Sequence, residues 1–397
     1  MRDMEANLRL GGMGWVTPLG SGIACVWQRL LDGKEATAEP VSSSLNPRTY
    51  PAFRVPAEAL AGAPAHPRLR RSSAISRFAV VAGLAALEDA QVKLDPAAAE
   101  RTAIIFAISN GGVVYTKRFY HDVVESGARA ASPLLFPETV FNAPASHLAA
   151  ILGITGASYT LVGDGAVGLL ALAMAEDLMQ NPALDRCLVV GAEETDWLLC
   201  DAFHRWRLLS PAPPIEVFAA RPRGLVLSEG AGAVLIDRTG PTMIEKIEPG
   251  ANFRRRSEAS ACVDTVFKSL GATDADIVIA SANGTFVDEA ERAAILNHCP
   301  GAVIYTPKVA LGESVGAGSI WQVICGAEAV RTQQLPPIPH ATSVGRLQVS
   351  DRRRDDLRRD RAIVSCCGLS QQVAGLVLRR TPIAQVGPAH DSVIHSP

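Results

Sequence analysis

Aromatic side chains are scarce, at 5% of 397 residues. That leaves few platforms for stacking bases and argues against a single-strand nucleic-acid binder. Neither sign of charge is in excess. The formal net charge is -2, so the electrostatic footprint of a nucleic-acid partner is missing. The eight cysteines are scattered and form no C-x-x-C pair, and Cys366 and Cys367 are adjacent and poorly placed to bond each other. This excludes a disulfide or zinc framework and reads as the reduced thiols of a cytoplasmic protein. No apolar run reaches membrane-spanning length. The first residues, MRDMEANLRLGG, carry acids and no apolar core, so a signal peptide is not expected. No nucleic acid, membrane, metal or resident cofactor is expected.

What is present is a chain of ordinary globular composition, 48% hydrophobic and 20% charged. Its length fits two domains or one large duplicated one. Strand-like and helix-like stretches alternate. Leu8 to Gly20 reads as a strand ending in a glycine turn, followed by a helix over Ile23 to Leu31. Glu39 to Arg71 is rich in proline, serine and alanine, with a basic cluster at Arg68, Arg70 and Arg71, and reads as surface loop. A helix over Ser76 to Gln91, a buried strand over Arg101 to Ser109, a helix in FNAPASHLAAIL and a strand CLVVGAEE follow. Arg223 to Asp237 reads as a hairpin with a glycine bend. A helix around Cys262 to Leu270, the strand IVIASANGT, the helix DEAERAAILNHC, the strand AVIYTPK, an apolar helix and a hairpin over Arg361 to Leu378 repeat the theme. Such alternation implies α/β layering, and the repeated order implies duplication. DRRRDDLRRDR, from Asp351, reads as a solvated loop or helix end.

The turn Gly163-Asp164-Gly165-Ala166-Val167-Gly168 fits G-x-G-x-x-G between a strand and an apolar helix. A dinucleotide loop would use these glycines to approach a pyrophosphate. Two features oppose that reading. The turn lies mid-chain, and Asp185 precedes its strand instead of ending it. The remaining readings are a packing turn, or a turn that presents a nucleophile at a helix N-terminus.

From this turn the chain runs through CLVVGAEE, RPRGLVLSEGAGAVLID, SANGT with DEAE, TPKVALGESVGAG and VSCCGLSQQ. In that order and spacing the set resembles the β-ketoacyl synthase family, over nearly the whole chain. GLVLSEGAGAVLI, from Gly224, is close to the family's G-x-V-x-x-E-G-A-G pattern, with Pro222 where the family has an arginine. The resemblance implies a thiolase-like α/β fold, with duplicated βαβαβαββ halves in an α-β-α-β-α arrangement. The halves would be residues 1–240 and 241–380, with a loose tail over 381–397.

The resemblance also places the family's catalytic positions. The acyl-accepting cysteine falls on Gly165, or on Gly163 if an insertion lies near Asn181-Pro182. The two histidines become Asn283 and Glu313, and the lysine persists as Lys308. Leu369 takes the gating position, preceded by Cys367 and Gly368. The loop between Thr285 and Asp288, which in the family touches the pantetheine arm, is shorter here. Glycine forms no thioester. Asn283 cannot titrate, and an ionised Glu313 would repel an enolate.

Other residues have two readings each. Asp164 is an acid or a helix cap. Glu193 and Glu194 are a carboxylate pair or point apart. Lys308 and Glu313 are catalytic or a relic ion pair. His147 packs inside or faces a dimer partner. Cys366 and Cys367 are replacement nucleophiles or buried structural thiols. The arginine clusters are solvated or receive an acidic acyl carrier protein.

The family contains members that keep the fold and lose the chemistry. The chain resembles its chain-length factors, with glycine where the aromatic-polyketide ones carry glutamine. That implies a non-condensing subunit paired with a catalytic ketosynthase homologue, with phosphopantetheine arriving on the partner's carrier-bound substrate. A malonyl-carrier-protein decarboxylase or priming subunit, a homodimeric scaffold and a nicotinamide enzyme remain as alternatives.

Overall fold

The computed structural model describes residues 8–44, 46–342 and 344–381. Residues 382–397 of the tail expected over 381–397, and the first seven residues, lie outside them. The core strands of the first half are β1 (Arg9–Thr17), β2 (Thr102–Ile108), β3 (Ser158–Val162), β4 (Arg186–Glu193) and β5 (Gly230–Asp237). Those of the second are β6 (Thr242–Asn252), β7 (Ile277–Ile279), β8 (Val303–Tyr305), β9 (Arg361–Cys367) and β10 (Gln372–Arg380).

Side by side they run β3-β2-β4-β5-β1 and β8-β7-β9-β10-β6. This is one order, third-second-fourth-fifth-first, used twice. In each half the fifth strand is antiparallel to its neighbours. The halves join where β1 pairs with β6 through Leu10 with Thr242 and Arg9 with Met243. The duplication expected from the sequence is therefore visible strand by strand.

The layering follows from apolar patterning. β2 (TAIIFAI) is buried at every residue, as a strand covered on both faces must be. Helices α1 (Ala74–Asp89) and α2 (Ala143–Leu152) cover the outer face of the first half. α1 is capped by Ser73, whose side chain accepts the Ser76 amide. Between the halves lie α3 (Val167–Leu178) and, further along the chain, α6 (Gly318–Thr332), each touching strands of both. α4 (Ala259–Leu270) and α5 (Val287–His298) cover the outer face of the second half. α6 is buried from Gly318 through Val330 on all sides, which only a helix between two sheets can be.

Two readings are corrected, and three elements were not expected. Glu39 to Arg71 is not mere loop. Ala38–Ser43 and Asn46–Phe53 pair antiparallel, with Pro40 opposite Pro51. Edge strands tolerate proline, and buried Tyr50, Ala52 and Phe53 anchor this hairpin. Arg223 to Asp237 is not a hairpin. Leu227–Ser228 pairs in parallel with Asn46–Phe53, whereas β5 lies between β1 and β4. The bend between them is fixed by Glu229, whose buried carboxylate accepts the Val55 and Thr195 amides. The helices Val113–Ser126 and Trp197–Arg205, and β6, were not expected from the sequence.

Glycines let the central layer close. A Cβ on Gly191 of β4 would lie 2.4 Å from the Gly316 carbonyl oxygen and 3.0 Å from Ile320 of α6. Gly191→Ala is therefore expected to cost about 1–3 kcal/mol of stability, read as a lower midpoint in urea unfolding.

Candidate active site

The carboxyl ends of strands from both halves converge, which is where α/β sheets place their sites. Gly165 follows β3, Asn283 follows β7, Lys308 and Glu313 follow β8, and Cys366 to Leu369 close β9. Lys308 opens a single turn, Lys308–Leu311, and Gly312 at φ 78 reverses the chain. A side chain at Gly312 would meet Phe53 and Ser228. The reversal brings Glu313 back onto Lys308, whose Nζ donates to both carboxylate oxygens at 2.9 and 2.8 Å. Both residues are buried. Asn283 donates from Nδ2 to Glu313 at 2.6 Å and accepts from Thr285 at 2.6 Å.

The Glu313 backbone is held by the motif that carried the resemblance. Its amide donates to Val226 and its carbonyl accepts the Ser228 amide. Asp288 of α5 accepts the amides of Asn283, Gly284 and Phe218, which fixes the short loop. Asn283, Lys308 and Glu313 thus form one buried, fully connected cluster.

The Gly165 turn faces the β9–β10 turn. The Cys366 thiol donates to the Gly165 carbonyl at 3.0 Å, and a Cβ on Gly165 would lie 3.4 Å from the Gly368 Cα. A Cβ on Gly163 would instead crowd Gln372 and Val167 at 2.9 and 3.0 Å. Of the two, Gly165 has the room for a side chain.

The cap reading of Asp164 is corrected. Its carboxylate accepts the amides of Ser370 and Gln371 and the Ser370 hydroxyl, at 2.7 to 3.1 Å, tying the two turns together. A side chain at Gly368 would strike that carboxylate, at 2.2 Å.

These turns and motifs have a family counterpart. The model of the beta-ketoacyl synthase N-terminal domain matches residues 10–240. The chain belongs to the β-ketoacyl synthase family. Nodulation protein E of Rhizobium leguminosarum bv. trifolii is 23% identical to it over 363 residues, 84% of this chain and 88% of that protein. Among solved structures, the ishigamide ketosynthase/chain length factor superposes at TM-score 0.82 with 20% identity, over 94% of this chain and 99% of that one. A ketosynthase in complex with its chain length factor from Xenorhabdus doucetiae superposes at 0.79 with 20% identity, over 96% and 100%. At this identity the structural likeness is one of fold, and it agrees with the thiolase-like architecture.

Within this family fold, the electrostatics are those of buried acids. Burial pushes the Cys366 thiol up to about 12, against the opposing pull of Lys308, so the thiol stays protonated. Burial likewise pushes the Cys367 thiol well above the ordinary thiol range, and its amide is held by Ser281. Burial works against the charge of Lys308, but Glu313 and the other neighbouring acids together raise it above the ordinary lysine range. Leu369 and Gly368 sit in the tight β9–β10 turn, with Leu369 in the core.

Glu193 accepts the Ser109 and Asn110 amides, and Glu194 the Val114 amide, so the adjacent carboxylates serve different amides. Both still line one void with Asn110, Ser228 and Glu313. The void is about 10 Å³, room for about one water molecule and not for an acyl chain. His147 is packed, bonded to buried Glu138 at 2.6 Å.

The sequence reading missed Ser281 and Glu291. Ser281 donates its amide and hydroxyl to Glu291 at 2.9 Å each, directly behind Asn283. The D-x-A-E spacing was their only signal.

Two tests follow. Lys308→Met leaves Glu313 buried without its partner and is expected to cost about 3–5 kcal/mol, whereas K308M with E313L should be near neutral, as read by chemical denaturation. Burial raises the pKa of Glu193 to about 8, of Glu194 and Glu291 to about 7 and of Asp288 to about 6. A folded-state acid raised in this way makes the native state hold more protons than the unfolded one. Stability should therefore be fullest below the ordinary carboxylate range and fall as pH rises toward 8, by at most about 1.4 kcal/mol per pH unit for each group. Lys308 keeps its charge through this window. Glu193→Gln should flatten the slope of urea midpoint against pH between pH 5 and 8.

Proposed function

We propose that this chain is a non-condensing subunit of the chain-length-factor type. It pairs with a catalytically active ketosynthase and shapes the acyl tunnel of a type II polyketide or fatty-acid-like synthase. The observation that carries this reading is the turn at Gly165, where a ketosynthase holds its thiol and this chain has a hydrogen atom. The nearest thiol, on Cys366, is protonated and donates to the turn itself. Behind it, Glu313 presents carboxylate oxygens already engaged by Lys308 and Asn283. Those oxygens accept hydrogen bonds and offer nothing to a developing enolate. The same feature weighs against a malonyl decarboxylase.

Pairing is supported by an uncovered edge. β3 is the last strand of the sheet, with Tyr159 and Val162 43% and 52% exposed. Phe136, Val140 and Phe141, on the segment leading into α2, are exposed as well. An apolar edge strand left open invites another chain. Two of the solved neighbours are ketosynthase and chain-length-factor assemblies, and the proposal carries that pairing to this chain. Arg68, Arg70 and Arg71 are exposed around the turn Pro67–Arg70 and suit an acidic acyl carrier protein. Because the void beside Glu313 is too small, an acyl chain would reach this subunit from the partner's site, across the shared face.

The test is co-expression with a catalytically active ketosynthase from the same organism, followed by native mass spectrometry. A one-to-one heterodimer is expected, lost in Val162→Glu. Intact-mass analysis after incubation with acyl-carrier protein should show acyl groups on the partner alone. A stable homodimer that ignores the ketosynthase, or acylation of this chain, would overturn the reading.

A further inference from the structure

A cleft of about 300 Å³ opens between the first turn of α1 and the helix Val113–Ser126. Its lining includes Arg54, Arg77, Arg118, Tyr115 and Glu194. Arg54 is committed: it pairs with Glu229 at 3.1 Å and donates to the Thr195 carbonyl. Tyr115 is committed as well, with its hydroxyl donating to the Arg71 and Ser72 carbonyls. Arg77 and Arg118 have no acceptor among the described residues, although they come from two different helices and face one cleft.

A guanidinium group has only donors, and two of them facing one cleft from different helices are matched to an oxyanion held between them. The acids nearby do not fill that need. Glu229 is held by Arg54 and two amides. Glu194 accepts the Val114 amide at 3.4 Å and, through burial, titrates at about 7. Ala74 and Val114 add apolar wall. The volume is at the lower end of small-molecule sites.

We infer that this cleft is an anion site, which takes the carboxylate or phosphate head of a small molecule carrying a short apolar stem. Under the subunit reading above, on which this extension rests, the head is the polar far end of an acyl chain. The partner's product would then be a chain oxygenated at its distal end, not one ending in a methyl group.

The test is calorimetric titration of the full chain, alone and with its ketosynthase, using three probes: hexanedioate, its dimethyl ester and inorganic phosphate. One-to-one binding of hexanedioate or phosphate is expected, and which of them binds names the head group. The neutral diester, and the R77Q R118Q variant titrated with the anion, should each bind at least about tenfold more weakly. Both arginines are exposed, so the variant should keep the parent's melting temperature. Binding of neither anion, equal binding of the diester, or unchanged binding by the variant would overturn the site. Native mass spectrometry separates the two proposals. Pairing without anion binding removes this site alone, and anion binding without pairing removes the subunit reading alone.

Discussion

The buried pair of Lys308 and Glu313 is the constraint around which the rest of the site is arranged. Two opposite charges taken out of water are tolerable only together and with their remaining hydrogen-bonding capacity used. Here all of that is local. Both Glu313 oxygens take Lys308, one also takes Asn283, and the Asn283 carbonyl oxygen takes Thr285. The geometry needs the reversal at Gly312, and the Glu313 backbone is pinned in turn to Val226 and Ser228. One ion pair thus couples the end of β8 to the segment that bends between the small hairpin and β5. Charges satisfied in this way are not free to handle a substrate's charge.

The fold was legible because its signals are local. Turn glycines, apolar runs and motif order are read within a few residues, and they placed most core strands and helices to within a few positions. The failures share one physical cause. The bend at Glu229 and the hairpin before Arg54 depend on amides and partners far along the chain. The hairpin sequence is also proline-rich, which reads as loop until its edge position is known.

The site was half legible for a related reason. Gly165, Asn283, Lys308 and Glu313 could be found from motifs, each anchored by its neighbours in sequence. Asp164 could not. It stands in a position where helix capping is the local default, yet its partners are Ser370 and Gln371, 206 and 207 residues away. Arg77 and Arg118 were equally silent, since nothing in either helix announces the other. What sequence distance hides here is the meeting of the two halves.

Under the proposed reading, that meeting explains how the chemistry can be absent while the architecture stays. Stability resides in the central layer, where glycines at 168, 191 and 232 let Ser319 and Ile320 of α6 approach α3, β4 and β5. The positions that the resemblance assigns to catalysis lie outside this layer, on loops at strand ends, so their identity is free to change. The change is not neutral for the turn, however. The Cys366 thiol donates to the Gly165 carbonyl, and a Cβ at Gly165 would sit in ordinary van der Waals contact with Gly368. Asp164 then bonds across to the facing turn. In the proposed reading, a feature that a condensing enzyme keeps open to a substrate serves here as a contact between the halves, and restoring a thiol at Gly165 alone would leave Glu313 where the resemblance places a histidine.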